Sequence, residues 1–452
     1  MTDNKRVDLS LKKEEFHKKY GRNKKLSTYT LGCKVNQYET EAMCELFQKD
    51  GYDVVKAEEI ADVYVINTCT VTNLGDRKSR QFIRRAKRLN ENAVIAVVGC
   101  YSQIAPEEVK SIEGVNLVIG TNERSKIVEI IRNINSEDNI SMVDNIMDVR
   151  KFEEMKIDNL EDRTRAFLKI QEGCNQYCSY CIIPYARGPV RSREKENIVN
   201  EVKRLVKNGF KEVVLTGIHV ASYGKDFKTI GLIDIIKEVN AVEGLERIRL
   251  SSIEPTLLDE DFMKELSTCE KFCDHFHLSL QSGSNGVLKR MNRRYTKEEY
   301  GKIVENIRKY YPDASITTDL IVGFPGESDE EFMEGMDFIK TIDFYQIHVF
   351  KYSPRKGTPA AIMKDQISGD IKNQRSDKII SVASEMEEKF LNRFVGKTID
   401  ILFEEKKDGY YIGHSKNYLK VKVEDKGQDL ENSIKNVIIE KVDGKLLFAK
   451  II

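Results

Sequence analysis

Short apolar, β-branched runs alternate along most of the chain with stretches whose apolar residues recur at helical spacing. This is the pattern of parallel βα units, so the fold class is α/β. In the first part it predicts a strand over residues 28–31, then a helix over 38–50 with Ala42, Met43, Leu46 and Phe47 on one face. Further strands are predicted over 63–67, 94–98 and 117–119. From about residue 135 to 165 the chain is charged and keeps no apolar period, which reads as a connection between domains. Beyond it, strands are predicted over 166–171, 213–216, 247–251, 275–280, 316–321 and 345–349. About six βα repeats make a partial (β/α)6 barrel, because full closure takes about eight. After a helical stretch ending near Phe394 the period becomes strict alternation, with strands over 398–403, 410–414, 419–423, 437–442 and 446–451. Turn signals at Asp408-Gly409 and Asp443-Gly444 separate them, as in a small β-barrel. The expected order is a parallel α/β domain over 25–145, a partial barrel over 160–385 and a small β-barrel over 388–452.

The length of 452 residues suits such a three-part chain. With 73 basic and 73 acidic side chains, it is neither a disordered polyelectrolyte nor a strongly basic nucleic-acid scaffold, so any RNA contact must come from local patches. Residues 1–20 are too charged for a signal peptide. No apolar run is long enough to span a bilayer, the nearest being 93–98. A cytoplasmic location without a membrane partner is therefore expected, and the nine cysteines should be metal ligands or core residues rather than disulfides.

Cysteine spacing supplies the candidate chemistry. Gly173-Cys174-Asn175-Gln176-Tyr177-Cys178-Ser179-Tyr180-Cys181 places three thiols just after the first predicted barrel strand. Three thiolates this close need a shared cation, and soft sulfur suits an iron–sulfur cluster. A structural zinc site closed by a distant fourth ligand is the weaker alternative, since strand, loop and spacing agree on the cluster. Three ligands leave one iron open. A second set is more dispersed: Cys33, Cys69 and Cys100 each follow a separate predicted strand, two of them directly after glycine. Strand C-termini of a parallel sheet open on one edge, where ligands bind. One such cysteine would read as a small apolar residue; three at equivalent positions predict a second cluster. Cys44, Cys269 and Cys273 lack this placement and read as packing residues.

The run Cys174–Cys181, with Tyr180 at the aromatic position, resembles the signature of the radical S-adenosylmethionine superfamily. The resemblance implies a [4Fe-4S] cluster on Cys174, Cys178 and Cys181, its open iron chelating S-adenosylmethionine, and a 5′-deoxyadenosyl radical released by electron transfer. Further superfamily-like pieces lie at barrel strand ends: Thr216-Gly217-Ile218-His219, Ser251-Ser252-Ile253-Glu254-Pro255, Leu280-Gln281-Ser282-Gly283 and Gly323-Phe324-Pro325-Gly326-Glu327. They point to Tyr180, Thr216, Gly217, Ser252 and Gln281 as S-adenosylmethionine contacts. Domain order and both cysteine sets together resemble the methylthiotransferase family with its terminal TRAM domain, over about residues 27–452. Within it, Gly32-Cys33-Lys34-Val35-Asn36-Gln37-Tyr38, Cys181-Ile182-Ile183-Pro184-Tyr185-Ala186-Arg187-Gly188 and Thr216-Gly217-Ile218-His219 look like the branch acting on N6-threonylcarbamoyladenosine in tRNA. Glu194 departs from the family's usual proline and affects only the shape of its loop.

The resemblance implies that a methylthio group replaces the hydrogen on carbon 2 of adenosine 37, beside the anticodon. It implies two [4Fe-4S] clusters, the second on Cys33, Cys69 and Cys100 as the site of sulfur transfer, with no side chain assigned a catalytic role. One S-adenosylmethionine would supply the methyl group and another would be cleaved. Partners would be the tRNA anticodon loop and an electron donor such as flavodoxin or ferredoxin. The stretch Arg77-Lys78-Ser79-Arg80-Gln81-Phe82-Ile83-Arg84-Arg85-Ala86-Lys87-Arg88 has seven basic residues and no acid, so Arg77, Arg80, Arg84 and Arg88 are expected to meet phosphates. Lys289, Arg290, Arg293, Arg294 and Lys297 form a second basic patch, and Tyr410, Tyr411, His414 and Tyr418 could stack on RNA bases. Alternatives are methylthiolation of N6-isopentenyladenosine or of a ribosomal-protein aspartate, a two-cluster electron carrier, and a radical enzyme acting on a peptide. The TRAM-like end and the open iron weigh against the last two.

Overall fold

A computed structural model describes residues 6–134, 137–155, 157 and 164–452. Its first unit is a six-stranded, wholly parallel sheet of β1 (Lys24–Thr30), β2 (Tyr52–Val55), β3 (Val63–Thr68), β4 (Val94–Gly99), β5 (Leu117–Ile119) and β6 (Ile140–Met142), in the order β2-β1-β3-β4-β5-β6. β3 and β4 are buried along their whole length, as central strands covered on both faces must be. β1 starts four residues before the expected strand at 28, and the following helix, Lys34–Lys49, starts four before 38. The edge strands β2 and β6 have no sequence counterpart above, because each is short and partly exposed.

β6 corrects the reading of residues 135–165 as a mere connection. That stretch adds a strand to the first sheet and buries Met155 and Ile157 in the core. Its residues 135–136, 156 and 158–163, which include the start of the expected second domain at 160, lie outside the described residues, as do residues 1–5.

The second unit contains the six expected parallel strands: β7 (Arg165–Glu172), β9 (Glu212–Gly217), β10 (Arg247–Leu250), β11 (His275–His277), β12 (Ser315–Val322) and β13 (Gln346–Lys351). A short strand, β8 (Arg191–Ser192), pairs antiparallel with the C-terminal end of β7. The strands form the sheets β10-β9-β7-β8 and β11-β12-β13, joined across β10 and β11 by the single bridges Ile248↔Phe272 and Ile253↔Leu278. This is the partial barrel. One contiguous apolar core runs from Leu26, Val65 and Val98 of the first sheet through Leu168 and Leu215 to Ile316, so the two units are fused by burial rather than tethered.

The third unit is a closed five-stranded barrel of β14 (Thr398–Lys407), β15 (Tyr410–Ser415), β16 (Lys420–Glu424), β17 (Ile434–Asp443) and β18 (Leu446–Ile451). It caps the N-terminal mouth of the partial barrel. At the start of β10, Arg247 donates to the His414 carbonyl at 2.8 Å and the Asp400 carboxylate at 2.7 Å, and Arg249 donates to the Lys416 carbonyl at 2.9 Å. Tyr418 stacks between His275 at 4.7 Å and His414 at 4.6 Å, with the Arg249 guanidinium 4.7 Å from its ring. Its φ of +64°, costly for a side chain of this size, is held by those contacts. Three of the four expected RNA-facing residues are thereby corrected: Tyr411 belongs to the small barrel's core, while Tyr418 and His414 form the interface.

Two predictions follow from this cap. Tyr418→Ala should lower unfolding stability by about 3 kcal/mol in a denaturant titration, because it deletes a stacked and cation-bound ring. Burial opposes ionisation of Glu212, but Arg249, which donates to its carboxylate at 2.7 Å, outweighs that with help from Arg165 and Arg247 and holds the group at about 2. A depressed carboxyl stabilises above its unfolded value near 4.3 and loses that contribution as pH falls towards 2. Glu212→Gln should therefore be about 3 kcal/mol less stable than the parent at pH 7, with the gap shrinking at pH 3.

Candidate functional site

Strands β1, β3 and β4 are neighbours, and their C-terminal ends release Cys33, Cys69 and Cys100 onto one edge. Local chemistry fixes the loops. Gly32 has φ +105°, and a Cβ there would lie 2.9 Å from Cys69 Cβ. Gly99 has φ +97°, and a Cβ there would meet the Asn67 side chain and, at 2.8 Å, the Thr68 carbonyl. Asn36 donates to the carbonyls of Leu31 at 2.7 Å and Thr68 at 3.0 Å, tying the Cys33 and Cys69 loops together. The thiols feel one another: burial first, then Cys69 and Cys33, push the Cys100 thiol up to about 12, against the pull of Arg187.

The second set follows β7. Gly173, at φ +75°, lets the chain turn against the Pro189 carbonyl, where no side chain fits. Cys174 N–H donates to the Gly188 carbonyl at 3.0 Å, and Ser179 N–H to that of Met291 at 3.0 Å, so both sides of the loop are pinned. Burial, then neighbouring thiols, push Cys181 up to about 12; burial pushes Cys174 up to about 11. The raised thiols Cys100, Cys174 and Cys181 therefore stay protonated at neutral pH unless a cation joins them, whereas Cys33 is exposed. A cluster cation would let those buried thiols ionise, and three soft sulfur donors gathered on one sheet edge and three in one pinned loop fit the iron–sulfur assignment.

A cavity of about 330 Å³ is lined by Cys174, Cys178 and Cys181 from one side and by Val71 and Thr72, just past Cys69, from the other; Cys33, Cys69 and Cys100 themselves are not on its wall. Of the expected S-adenosylmethionine contacts, Tyr180 and Gln281 line it, and Gln281 holds a left-handed φ of +68° there. Thr216, Gly217 and Ser252 are not on its wall; their neighbours Ile218, His219 and Glu254 are. Thr216 is buried within β9, and Gly217 packs against Gln171, where a Cβ would come within 2.9 Å of the amide oxygen. Ser252 is exposed.

Two buried arginines were missed as site residues. Arg293, placed above in a basic surface patch, instead donates to Cys178 Sγ at 3.3 Å and to Glu254 at 2.8 Å. In the same patch Arg290 pairs with Glu331 and Lys297 with Glu334, leaving Lys289 and Arg294 exposed. Arg187, six positions after Cys181, crosses to the other set and donates through Nε to Cys100 Sγ at 3.1 Å. Its remaining nitrogens reach Glu39 at 2.6 Å, Glu172 at 3.0 Å and the Asn36 carboxamide. Lys169 joins the same carboxylates at 2.9 and 2.8 Å, and Arg124 contacts Glu39. All five charged groups are buried. The sign in the sequence was an arginine close behind a cysteine loop, which spacing alone does not distinguish from a surface residue.

On the helix Asn73–Leu89, Arg77, Arg84 and Arg88 are exposed, while Arg80 donates to the Tyr101 hydroxyl at 2.9 Å and pairs with Glu108 at 3.2 Å. Cys44 contacts the Thr28 hydroxyl, and Cys269 and Cys273 are buried in the partial barrel. No described helix is long and apolar enough to cross a membrane.

Comparison with known proteins adds names to this geometry. Residues 168–339 match the radical SAM superfamily, and residues 25–120 match the uncharacterized protein family UPF0004. The threonylcarbamoyladenosine tRNA methylthiotransferase MtaB of Bacillus subtilis (strain 168) is 46% identical over 400 residues, covering 87% of this chain and 89% of its own. The tRNA-2-methylthio-N(6)-dimethylallyladenosine synthase of Clostridium botulinum (strain Loch Maree / Type A3) is 36% identical, covering 83% and 85%. Among solved structures, the radical S-adenosylmethionine methyltransferase TsrM of Kitasatospora setae superposes with a TM-score of 0.55 at 16% identity, covering 75% of this chain and 77% of that one, a likeness of fold.

The Arg187 network yields a direct test. Arg187→Met leaves Glu39 and Glu172 sharing a buried site with one guanidinium fewer, and should cost about 3–5 kcal/mol in a denaturant titration. Arg187→Lys, which keeps the charge, should lose less.

Proposed function

We propose, on the premise that the chain belongs to the radical S-adenosylmethionine methylthiotransferase family, that it converts N6-threonylcarbamoyladenosine at position 37 of tRNA to 2-methylthio-N6-threonylcarbamoyladenosine. The observation that carries this reading is a cavity lined by Cys174, Cys178 and Cys181 on one side and by Val71 and Thr72, in the loop after Cys69, on the other. Such a reaction must break a C–H bond and deliver sulfur at the same carbon, so its two functions have to meet. Identity of 46% to a relative named for threonylcarbamoyladenosine, against 36% to one named for dimethylallyladenosine, favours this branch over the isopentenyl alternative. Nothing favours the ribosomal aspartate.

Cys174, Cys178 and Cys181 would hold one [4Fe-4S] cluster, with S-adenosylmethionine on its open iron, and Cys33, Cys69 and Cys100 would hold the second. When bound, these groups supply the radical that removes the hydrogen of carbon 2 and the sulfur and methyl group that replace it. The chain's own residues hold and shield the reacting parts. Ile218, Ile321 and Tyr352 give the cavity apolar walls that exclude water. Arg293, anchored by Glu254, and Arg187, anchored by Glu39 and Glu172, present fixed N–H groups to one sulfur of each set. Such donors stabilise thiolate charge and orient the ligand. Tyr180 and Gln281 stand where S-adenosylmethionine would lie, while Thr216 and Gly217 shape the strand end behind it.

Substrate RNA would meet the exposed Arg77, Arg84 and Arg88, with Lys289 and Arg294 near the other loop. These contacts neutralise phosphates and set register without reading bases. The reading also assigns a cytoplasmic location and a small reducing protein, flavodoxin or ferredoxin, as electron donor.

The test is nucleoside mass spectrometry of threonylcarbamoyladenosine-bearing tRNA after anaerobic incubation with the reconstituted protein, S-adenosylmethionine and a strong reductant. The 2-methylthio nucleoside should appear. Cys69→Ala should abolish it while 5′-deoxyadenosine release continues. Modification of isopentenyl-bearing tRNA alone would overturn the branch, and unchanged insertion by Cys69→Ala would overturn the role of the second set.

A further inference from the structure

On β11, β12 and β13 the inward positions of the partial barrel are largely polar where barrels of this kind are filled by branched apolar side chains. On three adjacent strands the inward positions are His275 and His277 of β11, Thr317 and Asp319 of β12, and Gln346 and His348 of β13. Register explains the grouping. Thr317 lies beside His277 and Gln346, and Asp319 lies beside His348, so these side chains share one face with Ile321. Asp319 and Ile321 line the cavity, which identifies that face as the inner one.

Within this set, His277, Asp319 and His348 converge: one ligand atom from each lies within 4.8 Å of the other two. His277 Nε2 is 3.3 Å from Asp319 Oδ2, the spacing of two donors on one ion with bonds of about 2.0–2.2 Å. The other ring nitrogen of His277 is 2.9 Å from the Thr317 hydroxyl, the outer contact that fixes a ligating imidazole and frees Nε2 for metal. The His348 ring lies 5.8 Å from that of His277 and is solvent-accessible. Cys174, Cys178 and Cys181 line the same cavity as Asp319, but they offer sulfur, and this set offers two imidazoles and a carboxylate.

We propose that His277, Asp319 and His348 form a third metal site in the barrel, for a single divalent first-row cation of the zinc class. Two histidines and one carboxylate are a donor set for such ions, and three protein ligands leave coordination positions free. Asp319 lines the cavity, so a free position on its side can take water or an oxygen ligand. The pairing without metal, a plain His277–Asp319 hydrogen bond, accounts for two of the three groups but not for His348.

The proposal stands apart from the methylthiotransferase reading, since its test counts metal rather than product. The full-length protein, anaerobically reconstituted with iron and sulfide, is incubated with one equivalent of zinc chloride and desalted. Zinc and iron are then counted by mass spectrometry, and zinc ligation is read by X-ray absorption at the zinc edge. The expected result is about one zinc per chain with nitrogen and oxygen ligands. His348→Ala and Asp319→Asn should each lose most of that zinc with iron content unchanged; because His348 is exposed, His348→Ala tests the site even if Asp319→Asn fails to fold. Zinc absent from the parent, zinc retained by the variants, or sulfur in the zinc shell would overturn the proposal.

Discussion

Five buried charges hold the two cysteine loops in one place. Glu39 belongs to the helix behind Cys33, Arg124 follows β5, Lys169 and Glu172 lie on β7, and Arg187 follows the Cys174–Cys181 loop. None of these groups could be buried alone, because an isolated charge in the interior costs several kcal/mol. Together they satisfy one another only when the first sheet and the partial barrel are correctly apposed. Burial outweighs their mutual repulsion as a threat to ionisation, yet Lys169 and Arg187 still hold Glu172 at about 2. The network therefore acts as a registry device: it admits one arrangement of the two loops, the one that leaves a cavity between them.

Much of this was legible in the sequence because burial writes a strong signal. β3, β4, β9 and the strands of the terminal barrel showed as apolar or alternating runs, and both cysteine sets showed by their place at strand ends. The elements that escaped notice are those on which burial acts weakly. β2 and β6 are short edges, β8 has only two residues, and the helix Lys13–Tyr20 buries Phe16 alone. The site residues that escaped notice are charged. Arg187 and Glu254 stand inside runs that carry the family likeness and Arg293 inside a basic patch, but only tertiary pairing shows that their side chains turn inward. The same holds in reverse for Tyr418, whose aromatic ring suggested RNA but whose neighbours in space are His275, His414 and Arg249.

The partial barrel carries charged and polar groups at every level, alongside the apolar cavity wall of Ile218, Ile321 and Tyr352. Its N-terminal mouth is filled by arginines paired with Glu212 and covered by Tyr418, its middle carries His277, Asp319 and His348, and its C-terminal mouth carries the cysteine loop and Arg293. A lumen of this kind gains little from apolar packing. Its stability rests on the helices outside it, whose apolar faces join the large common core, and on the terminal barrel that closes one end. The strands are accordingly free to present functional groups inwards, at the expense of the weak β10–β11 junction held by isolated bridges.

The placement of Arg187 also bears on how the protein is made. Cys100 and the guanidinium that contacts it are 87 residues apart, and the three strands that release Cys33, Cys69 and Cys100 are all synthesised before Arg187. At about 5–20 residues per second, roughly 4–17 s of translation separate Cys100 from Arg187. During that interval the nascent first sheet carries three clustered thiols without the guanidinium that meets Cys100, while Glu39 already has Arg124 within reach. Biogenesis therefore has a thiol-exposed phase built into the order of the chain, and it ends when the second cysteine loop and the arginine behind it emerge together.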